Sequence, residues 1–182
     1  MWSGPRNIST ALLRSFSNRD DTVVYDEPFY SYYLKETGLN HPMREEIIDF
    51  YPTKEKEVIE TILKDKKGIY YQKHMTHHIL DKTNIEWLDK GTNCFLIRHP
   101  SKVINSYIKK NKLYSITDIG FDQMFRLFNY VKKNISKNTV IVNADTLLEN
   151  PEIYIKKLCM NLNISFSNKM LKWPKGITKD FG

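Results

Sequence analysis

An arginine and a serine eight residues apart, Arg98 and Ser106, are the side chains in this sequence best suited to bind a phosphate. A guanidinium offers a planar fork of hydrogen-bond donors to a phosphate, and a hydroxyl adds one more donor. Arg98 follows the apolar run 94–97, which is typical of a buried strand, and Ser106 lies in a segment with apolar residues at helical spacing. A strand that leads directly into a helix would let both side chains converge on one anion. The alternative is that Arg98 forms a structural ion pair at the end of the strand.

A second anion-binding pattern lies at the start of the chain, where it overlaps a predicted helix over residues 9–18. It combines small, hydroxyl and basic residues in the order Ser3, Gly4, Pro5, Arg6, Asn7, Ile8, Ser9 and Thr10. The backbone amides of such a loop attract an anion, together with a helix N-terminus that carries about +0.5 of an elementary charge. The alternative is an ordinary helix start with Ser9 or Thr10 as the cap. Two phosphate sites in one chain indicate a ligand with phosphates at both ends.

The loop lacks two residues that a nucleotide kinase would need. The kinase motif is Gly-x-x-x-x-Gly-Lys-Ser/Thr, and its second Gly and its Lys have no counterpart after Gly4. This difference argues against ATP hydrolysis.

These motifs resemble those of the sulfotransferases that use 3′-phosphoadenosine 5′-phosphosulfate (PAPS). The segment that begins at Pro5 is similar to the Pro-Arg-Ser-Gly-Ser-Thr loop of bacterial members, with Arg6 where other members carry Lys. The pair of Arg98 and Ser106, followed by Tyr107, is similar to the pair that holds the 3′-phosphate in that family.

Further segments extend the resemblance over nearly the whole chain. Residues 145–152, Asp-Thr-Leu-Leu-Glu-Asn-Pro-Glu, are similar to the family's Tyr-Glu-Asp-Leu…Glu-Asn-Pro stretch. The opening Trp-Ser-Gly-Pro-Arg-Asn, the Asp-Glu-Pro-Phe at 26–29 and the Lys-His-Met at 73–75 resemble a bacterial branch of the family.

The resemblance implies a fold, a co-substrate and a reaction. The fold would be α/β and similar to that of P-loop-containing nucleoside triphosphate hydrolases, in a single domain over residues 1–182. PAPS would be the co-substrate, no metal would be needed, and the sulfuryl group would pass to an unidentified hydroxyl or amine. The loop from Ser3 to Thr10 would hold the 5′-phosphosulfate, and Arg98 with Ser106 would hold the 3′-phosphate. Ile8 replaces the glycine of many family loops, so we expect the loop to turn there without a positive φ.

Sulfuryl transfer needs a group that takes the proton of the attacking oxygen or nitrogen, which is worth roughly 10²–10⁴ in rate. Glu27 follows a predicted strand and precedes Pro28, and some sulfotransferases place a catalytic Glu in a comparable segment. His74 ends another predicted strand, but the cytosolic branch has its catalytic His one residue later, where this chain has Met75. Alternate strand residues point to opposite faces, so we favour Glu27 over His74 as the base. Lys73 matches the family's Lys and would neutralise charge on the bridging oxygen. A non-catalytic nucleotide-binding domain of the same fold is the alternative.

Two groups of residues near these candidates have more than one interpretation. The histidines at 74, 77 and 78 suggest a zinc site, but no Cys or carboxylate stands at ligand spacing, so structural hydrogen bonding is the simpler interpretation. The aromatic residues at 29, 30, 32 and 33 are suited either to line an acceptor pocket or to form a core patch.

The elements that must position these side chains alternate along the chain. Strand-like runs occupy residues 22–26, 68–74, 93–98 and 138–143, and helical patterns occupy residues 9–18, 45–49, 54–64, 102–112, 121–134 and 151–162. This alternation predicts an α/β domain with a mostly parallel sheet, helices on both faces and ligands at the carboxyl ends of the strands. Only Met1 and Trp2 precede the loop, and family members continue beyond residue 182, so we expect residues to be missing at both ends.

Composition sets the outer limits of the function. A chain of 182 residues with 41% hydrophobic content suits one globular domain. The net charge of +7 favours anionic partners, but nucleic-acid binding would rest on charge alone, without the aromatic platforms it needs. Cys94 and Cys159 lie in apolar runs and are expected to be reduced core thiols. No run approaches the roughly 20 apolar residues of a membrane span, and Met1 begins no signal peptide, so we expect a cytoplasmic protein whose partner is a small-molecule acceptor.

Overall fold

The computed structural model describes residues 1–173, which fold around a five-stranded sheet with helices on both faces. The strands are β1 (Trp2–Ser3), β2 (Thr22–Asp26), β3 (Ile69–Met75), β4 (Cys94–Ile97) and β5 (Val140–Asn143). The helices are α1 (Ser9–Ser17), α2 (Tyr30–Thr37), α3 (Arg44–Phe50), α4 (Glu55–Ile62), α5 (Pro100–Tyr107), α6 (Phe121–Asn134), α7 (Ala144–Glu149) and α8 (Pro151–Asn161). Short 3₁₀ turns lie at Thr76–His78, Glu86–Lys90, Ile116–Ile119 and Asn168–Leu171. The predicted α/β class is confirmed; residues 174–182 of the predicted domain lie outside the described residues.

Every strand pair of this sheet is parallel, and β1 lies at its centre in the order β2-β3-β1-β4-β5. Trp2 pairs with His74 of β3 on one side and with Phe95 of β4 on the other. Parallel strands share a carboxyl edge, so the segments that follow β1, β3 and β4 emerge side by side. Crevices at this edge, next to a central strand, are where open α/β sheets bind ligands.

Successive strand residues send their side chains into two separate cores. Leu96 lies in the core that β4 forms with α1, α7 and α8, and Phe95 lies in the core formed with α2, α4 and α6. Full burial of a Leu or Phe side chain contributes about 1.5–3 kcal/mol relative to exposure. The two apolar layers therefore fix the sheet, and with it the edge at which the loops emerge.

Most predicted elements are present with small shifts at their ends. The strand at 22–26 and the helix at 121–134 are confirmed, and the other predicted strands differ from β3, β4 and β5 by one or two residues at an end. The helix predicted at 102–112 begins at Pro100 and ends at Tyr107. Two helices were not predicted, α2 and α7. Each is shorter than nine residues, and α2 is rich in tyrosine, which favours helices only weakly.

The strand that precedes the phosphate loop consists of only two residues. Trp2 and Ser3 nevertheless pair with both β3 and β4, and the Met1 ammonium donates to the carbonyl of Gln72 at 2.7 Å. Burial lowers the pKa of this ammonium to about 6. Two paired residues are therefore enough to anchor the loop at the centre of the sheet.

Cys94 and Cys159 are free, buried thiols, as predicted. Over residues 1–173, no helix is long and apolar enough to cross a membrane.

Gly4, the first residue after β1, is needed because the 3₁₀ turn Ile116–Ile119 approaches its backbone closely. A Cβ at Gly4 would lie 2.6 Å from the carbonyl oxygen of Ile119, a contact that Cβ atoms do not make. We predict that Gly4→Ala lowers the free energy of unfolding by about 1–3 kcal/mol, as overpacking typically does. Chemical denaturation measures the change. The matched control is Gly91→Ala, where a Cβ meets nothing within 4 Å; equal stability of both variants would contradict the steric argument.

Candidate functional site

The candidate site lies at the carboxyl edge of the sheet, where the loop after β1 meets the segment after β4. Residues 4–8 connect β1 to α1, and Arg98 follows directly on Ile97, the last residue of β4. Ser106 lies within α5, as the sequence predicts. The parallel pairing of β1 with β4 brings the two predicted phosphate-binding segments together although they are about 90 residues apart in sequence.

The loop turns through left-handed backbone at two residues other than glycine. Arg6 has a φ of 64° and Ile8 a φ of 59°. The expectation that the loop turns at Ile8 without a positive φ is therefore wrong. Left-handed backbone is a genuine outlier for a β-branched residue and is held only where the surrounding structure determines it. Ile8 packs its side chain against the core of α1, which fixes it in this conformation.

Three backbone amides of the loop are free of the bonds that stabilise turns elsewhere in the chain. Among the backbone hydrogen bonds of residues 1–173 outside helices and strands, none is donated by the amide of Arg6, Asn7 or Ile8. These amides lie next to the N-terminus of α1, where the first-turn amides also have no partner within the helix. The loop can therefore present several N–H groups and a partial positive charge to an anion.

The remaining loop residues serve different purposes. Asn7 is buried and donates from Nδ2 to the carbonyl of Leu96 at 3.2 Å, which ties the loop to β4. Ser3 Oγ donates to the carbonyl of Gly4, Ser9 is buried and Thr10 is exposed. Of the predicted hydroxyl donors, Ser3 therefore supports the loop itself, and Thr10 is the one open to solvent.

The two predicted phosphate-binding groups are in direct contact. Arg6 donates from Nε to Ser106 Oγ at 2.8 Å, and Arg98 donates from Nη1 to the Arg6 carbonyl at 3.0 Å. Asp145, at the start of α7, accepts from Arg98 Nε at 3.3 Å and pairs with Lys102 Nζ at 3.1 Å. Burial alone would raise the pKa of Asp145, but Lys102 and Arg98 hold it below its ordinary value. Two cations, Arg98 and Lys102, thus pair with one carboxylate, and Arg6 adds a third positive charge beside Ser106, which leaves excess positive charge for a phosphate.

Glu27 and Lys73, two of the three predicted catalytic residues, form an ion pair at the ends of β2 and β3. Lys73 Nζ lies 2.8 Å from Glu27 Oε1 and 2.7 Å from Asp26 Oδ1. The Lys73 side chain is 3% exposed and that of Glu27 is 29% exposed. Burial opposes the charge of Lys73, but Glu27 and Asp26 outweigh it and raise the pKa of the lysine.

The backbone of Glu27 is strained in the same way as the loop, with a φ of 46°. Its amide donates to the Lys73 carbonyl at 2.9 Å, and its carbonyl accepts from the Tyr30 amide at 2.9 Å. These two bonds hold the residue between β3 and α2. Strain of this kind costs about 1–3 kcal/mol and is concentrated at functional sites.

His74, the third predicted catalytic residue, lies apart from this ion pair. Its buried ring stacks on Trp2 at 4.5 Å between centroids, and Nε2 lies 3.0 Å from Gln72 Oε1. It borders a cavity of about 640 Å³ that is also lined by Met1 and Ile69, the residues at the beginning of the chain and of β3. Burial lowers the pKa of His74 well below its ordinary value. Since alternate residues of a strand face opposite sides, Lys73 and His74 serve different faces of the sheet.

The neighbouring aromatic and histidine side chains divide between core and cleft. Phe29 and Tyr32 are buried in the core, as the core-patch interpretation expects. His78 lies between the rings of Tyr30 and Tyr33, at 5.0 and 4.8 Å. In the described part of the chain, no group of three or more His, Cys, Asp or Glu residues has the arrangement of a metal site.

A small cavity of about 250 Å³ opens beside Glu27. Its lining is aromatic and aliphatic around two carboxylates and consists of Val24, Tyr25, Asp26, Glu27, Pro28, Tyr30, Ser31, Ile47 and Tyr51. Asp26, Lys102 and Asp145 are site residues that were not assigned from the sequence. The signal for Asp26 was its position directly before Glu27, and for Asp145 its place in the recognised 145–152 segment.

Comparisons with known proteins bear on the family and the fold of this chain. A family model described as a sulfotransferase domain matches residues 1–181. Two Arabidopsis thaliana proteins, named branched-chain-amino-acid aminotransferase-like protein 2 and protein 1, are 32% and 31% identical over 177 residues, or 96% of this chain. The chain spans about a third of their length, 31% and 32% respectively. A solved structure, the sulfotransferase domain from the curacin biosynthetic pathway, superposes with a TM-score of 0.63 at 15% identity and covers 97% of this chain and 77% of its own.

The buried histidines predict a loss of stability in acid. Burial lowers the pKa of His77 to about 4, against about 6.5 for an unfolded histidine. The folded state therefore resists protonation, and the stability present above the unfolded pKa is lost as the pH falls toward 4. For His77 alone we predict a decrease of about 3 kcal/mol in the free energy of unfolding between pH 7 and pH 4.

Denaturation of His77→Phe across this pH range measures the contribution. The variant should lose that part of the pH dependence. A His77→Phe curve parallel to that of the wild type would contradict the prediction.

Proposed function

Because the chain belongs to the sulfotransferase domain family, we propose that it transfers a sulfuryl group from PAPS to a hydroxyl or amine of a small acceptor. The observation that carries the proposal is the contact between the two predicted phosphate-binding segments. Arg6 of the loop bonds Ser106, and Arg98 bonds the loop backbone. One ligand with phosphate groups at both ends can therefore engage both segments at once.

The charges of the site suit the donor. Arg98 and Ser106 would hold the 3′-phosphate, since a guanidinium and a hydroxyl supply convergent donors. The amides of the loop and the side chains of Arg6, Ser9 and Thr10 would hold the 5′-phosphosulfate. The excess of cations over Asp145 in this cluster balances the negative charge that such a ligand brings.

The reaction also needs a proton acceptor and a stabiliser of the leaving group. As the acceptor oxygen or nitrogen bonds to sulfur, Glu27 would take its proton, and the bond from sulfur to the bridging oxygen would break. Lys73 would stabilise the charge that develops on that oxygen, and adenosine 3′,5′-bisphosphate would leave. The strained backbone of Glu27 and its place beside a cavity support this role over that of His74, whose ring stacks in the core.

The small cavity beside Glu27 supports a small acceptor. Its volume of about 250 Å³ and its walls of Tyr25, Tyr30, Ile47 and Tyr51 suit a hydroxyl or amine on a compact, largely apolar body. The names of the Arabidopsis relatives concern proteins about three times as long and carry no activity over to this chain. A nucleotide-binding domain without catalysis is the alternative, and the turnover measurements below decide between the two.

Arg98 is predicted to recognise the 3′-phosphate. Loss of a charge-assisted hydrogen bond to an anion costs about 1.5–3 kcal/mol, so Arg98→Ala should weaken adenosine 3′,5′-bisphosphate by roughly 10- to 100-fold. Adenosine 5′-phosphosulfate, which lacks the 3′-phosphate, should bind nearly as before. Calorimetric titration with both nucleotides measures the difference.

The control for Arg98→Ala is Lys156→Ala, which removes one positive charge from the exposed surface of α8. It should leave both affinities unchanged. If Arg98→Ala weakens both nucleotides equally, the assignment of the 3′-phosphate to Arg98 is wrong. ATP binding as tightly as the bisphosphate would instead favour the kinase interpretation.

Glu27 is predicted to be the base. Glu27→Gln keeps the shape of the side chain and removes proton acceptance, so turnover should fall by about 10²–10⁴ while the affinity for the bisphosphate is retained. Transfer of labelled sulfuryl from PAPS to a set of small alcohols and amines, with water as the slow reference acceptor, measures turnover.

His74→Phe is the matched comparison because it preserves a ring stacked on Trp2. It should retain turnover. Loss of activity in His74→Phe with retention in Glu27→Gln would reverse the assignment of the base.

A further inference from the structure

Lys73 has two carboxylate partners, and only one of them has a role in the proposed reaction. Glu27 Oε1 and Asp26 Oδ1 lie 2.8 and 2.7 Å from its Nζ. The Asp26 side chain is 20% exposed, and burial raises the pKa of this carboxyl although Lys73 opposes the rise. Burial thus disfavours the charged form of Asp26, although Glu27 and Lys73 already form an ion pair without it.

The charged and titratable neighbours of this group come from four elements. Lys73 of β3 faces Asp26 and Glu27 at the end of β2, and it also interacts with His78 of the 3₁₀ turn Thr76–His78. Glu27 also interacts with Tyr30 of α2 and His77 of the same turn. Burial lowers the pKa of both histidines, His77 to about 4 and His78 well below its ordinary value, so they are neutral near pH 7. The charge balance at neutral pH therefore rests on Asp26, Glu27 and Lys73.

Proton transfer to Glu27 would change this balance. Before transfer, two carboxylates and one ammonium give a net charge of −1; after transfer, Asp26 and Lys73 alone remain charged and sum to zero. Without Asp26, the same step would leave the ammonium of Lys73, 3% exposed, with no charged partner from the protein to hold it beside the leaving oxygen. An unpaired buried charge is strongly destabilising, so the step would be opposed.

We propose that Asp26 is a positioning residue that holds Lys73 charged and in place once Glu27 has taken the acceptor's proton. The inference rests on the proposed function, since it assumes that Glu27 is the base. Asp26 makes no bond to substrate in this scheme. It acts through Lys73, whose ammonium must stay beside the leaving oxygen throughout the transfer.

The experiment measures the pKa of Lys73 in variants that mimic each state, so it needs no acceptor. Glu27→Gln imitates the protonated base. With Asp26 intact, the pKa of Lys73 should stay at or above its ordinary value in this variant, as followed by ¹³C NMR of lysine Cε with Lys73→Arg as the assignment control. In Glu27→Gln with Asp26→Asn, the buried ammonium has no charged partner, and the pKa should fall by about 2 units or more.

Asp81→Asn, at an aspartate whose side chain is 96% exposed, is the control and should not move the Lys73 signal when combined with Glu27→Gln. An unchanged pKa of Lys73 in the double variant would overturn the inference. If the double variant does not fold, the single variant Asp26→Asn decides. Its Lys73 pKa should fall below that of the wild type, and an unchanged value would overturn the inference.

Turnover separates this inference from the proposed function. Asp26→Asn should lower kcat by about 10²-fold, the lower end of the range of general-base effects, with unchanged affinity for the bisphosphate. Full turnover in Glu27→Gln would keep the proposed transfer but overturn the role of Glu27 as its base, and the inference with it. Binding of the bisphosphate with no transfer from PAPS by the wild-type protein would overturn the proposed function in favour of non-catalytic nucleotide binding. Lost turnover in Glu27→Gln with full turnover in Asp26→Asn would leave the function intact and overturn the role of Asp26.

Discussion

The insertion of β1 between β3 and β4 is the constraint on which the site depends. Because β1 is parallel to both neighbours, the loop after it must emerge at the same edge as Arg98 and close to the end of β3. Asn7 then ties the loop to β4 by donating a hydrogen bond to the Leu96 carbonyl. Close approach of the 3₁₀ turn at Ile119 requires a glycine at position 4. A strand of two residues thus determines where the chemistry can occur.

The cost of this arrangement is concentrated in the backbone of the site. Among the described residues, five other than glycine have a positive φ, and Arg6, Ile8 and Glu27 are three of them. Each belongs to one of the two groups that the reaction would need, the phosphate loop or the ion pair. Such conformations persist where surrounding contacts impose them, here the packing of Ile8 and the paired bonds of the Glu27 backbone. The strained residues lie in the candidate site because a regular strand or helix would not direct their side chains to the carboxyl edge of the sheet.

The fold could be predicted further from sequence than the site could. Hydrophobic periodicity gave β2 and α6 with their observed bounds, since burial on one face leaves a direct trace in the residue pattern. It gave neither the left-handed turn at Ile8 nor the pairing of Lys73 with two carboxylates. The first is imposed by tertiary packing, which local preference does not record, and the second joins residues of separate strands. The alternation rule did count against His74 as the base, because it depends only on strand geometry.

The phosphate loop carries an excess of positive charge and the ion pair of Lys73 an excess of negative charge. The proposed reaction would explain this difference. At the phosphate loop, Arg6, Arg98 and Lys102 outnumber Asp145, which suits a ligand that arrives with several negative charges. At the ion pair, Asp26 and Glu27 outnumber Lys73, which suits a group that must gain a proton. A net positive charge around Glu27 would oppose its protonation. A net negative charge at the loop would repel the phosphates of the ligand. The shared carboxyl edge of β1, β2, β3 and β4 holds both charge excesses at the same end of the sheet, as the proposed transfer would require.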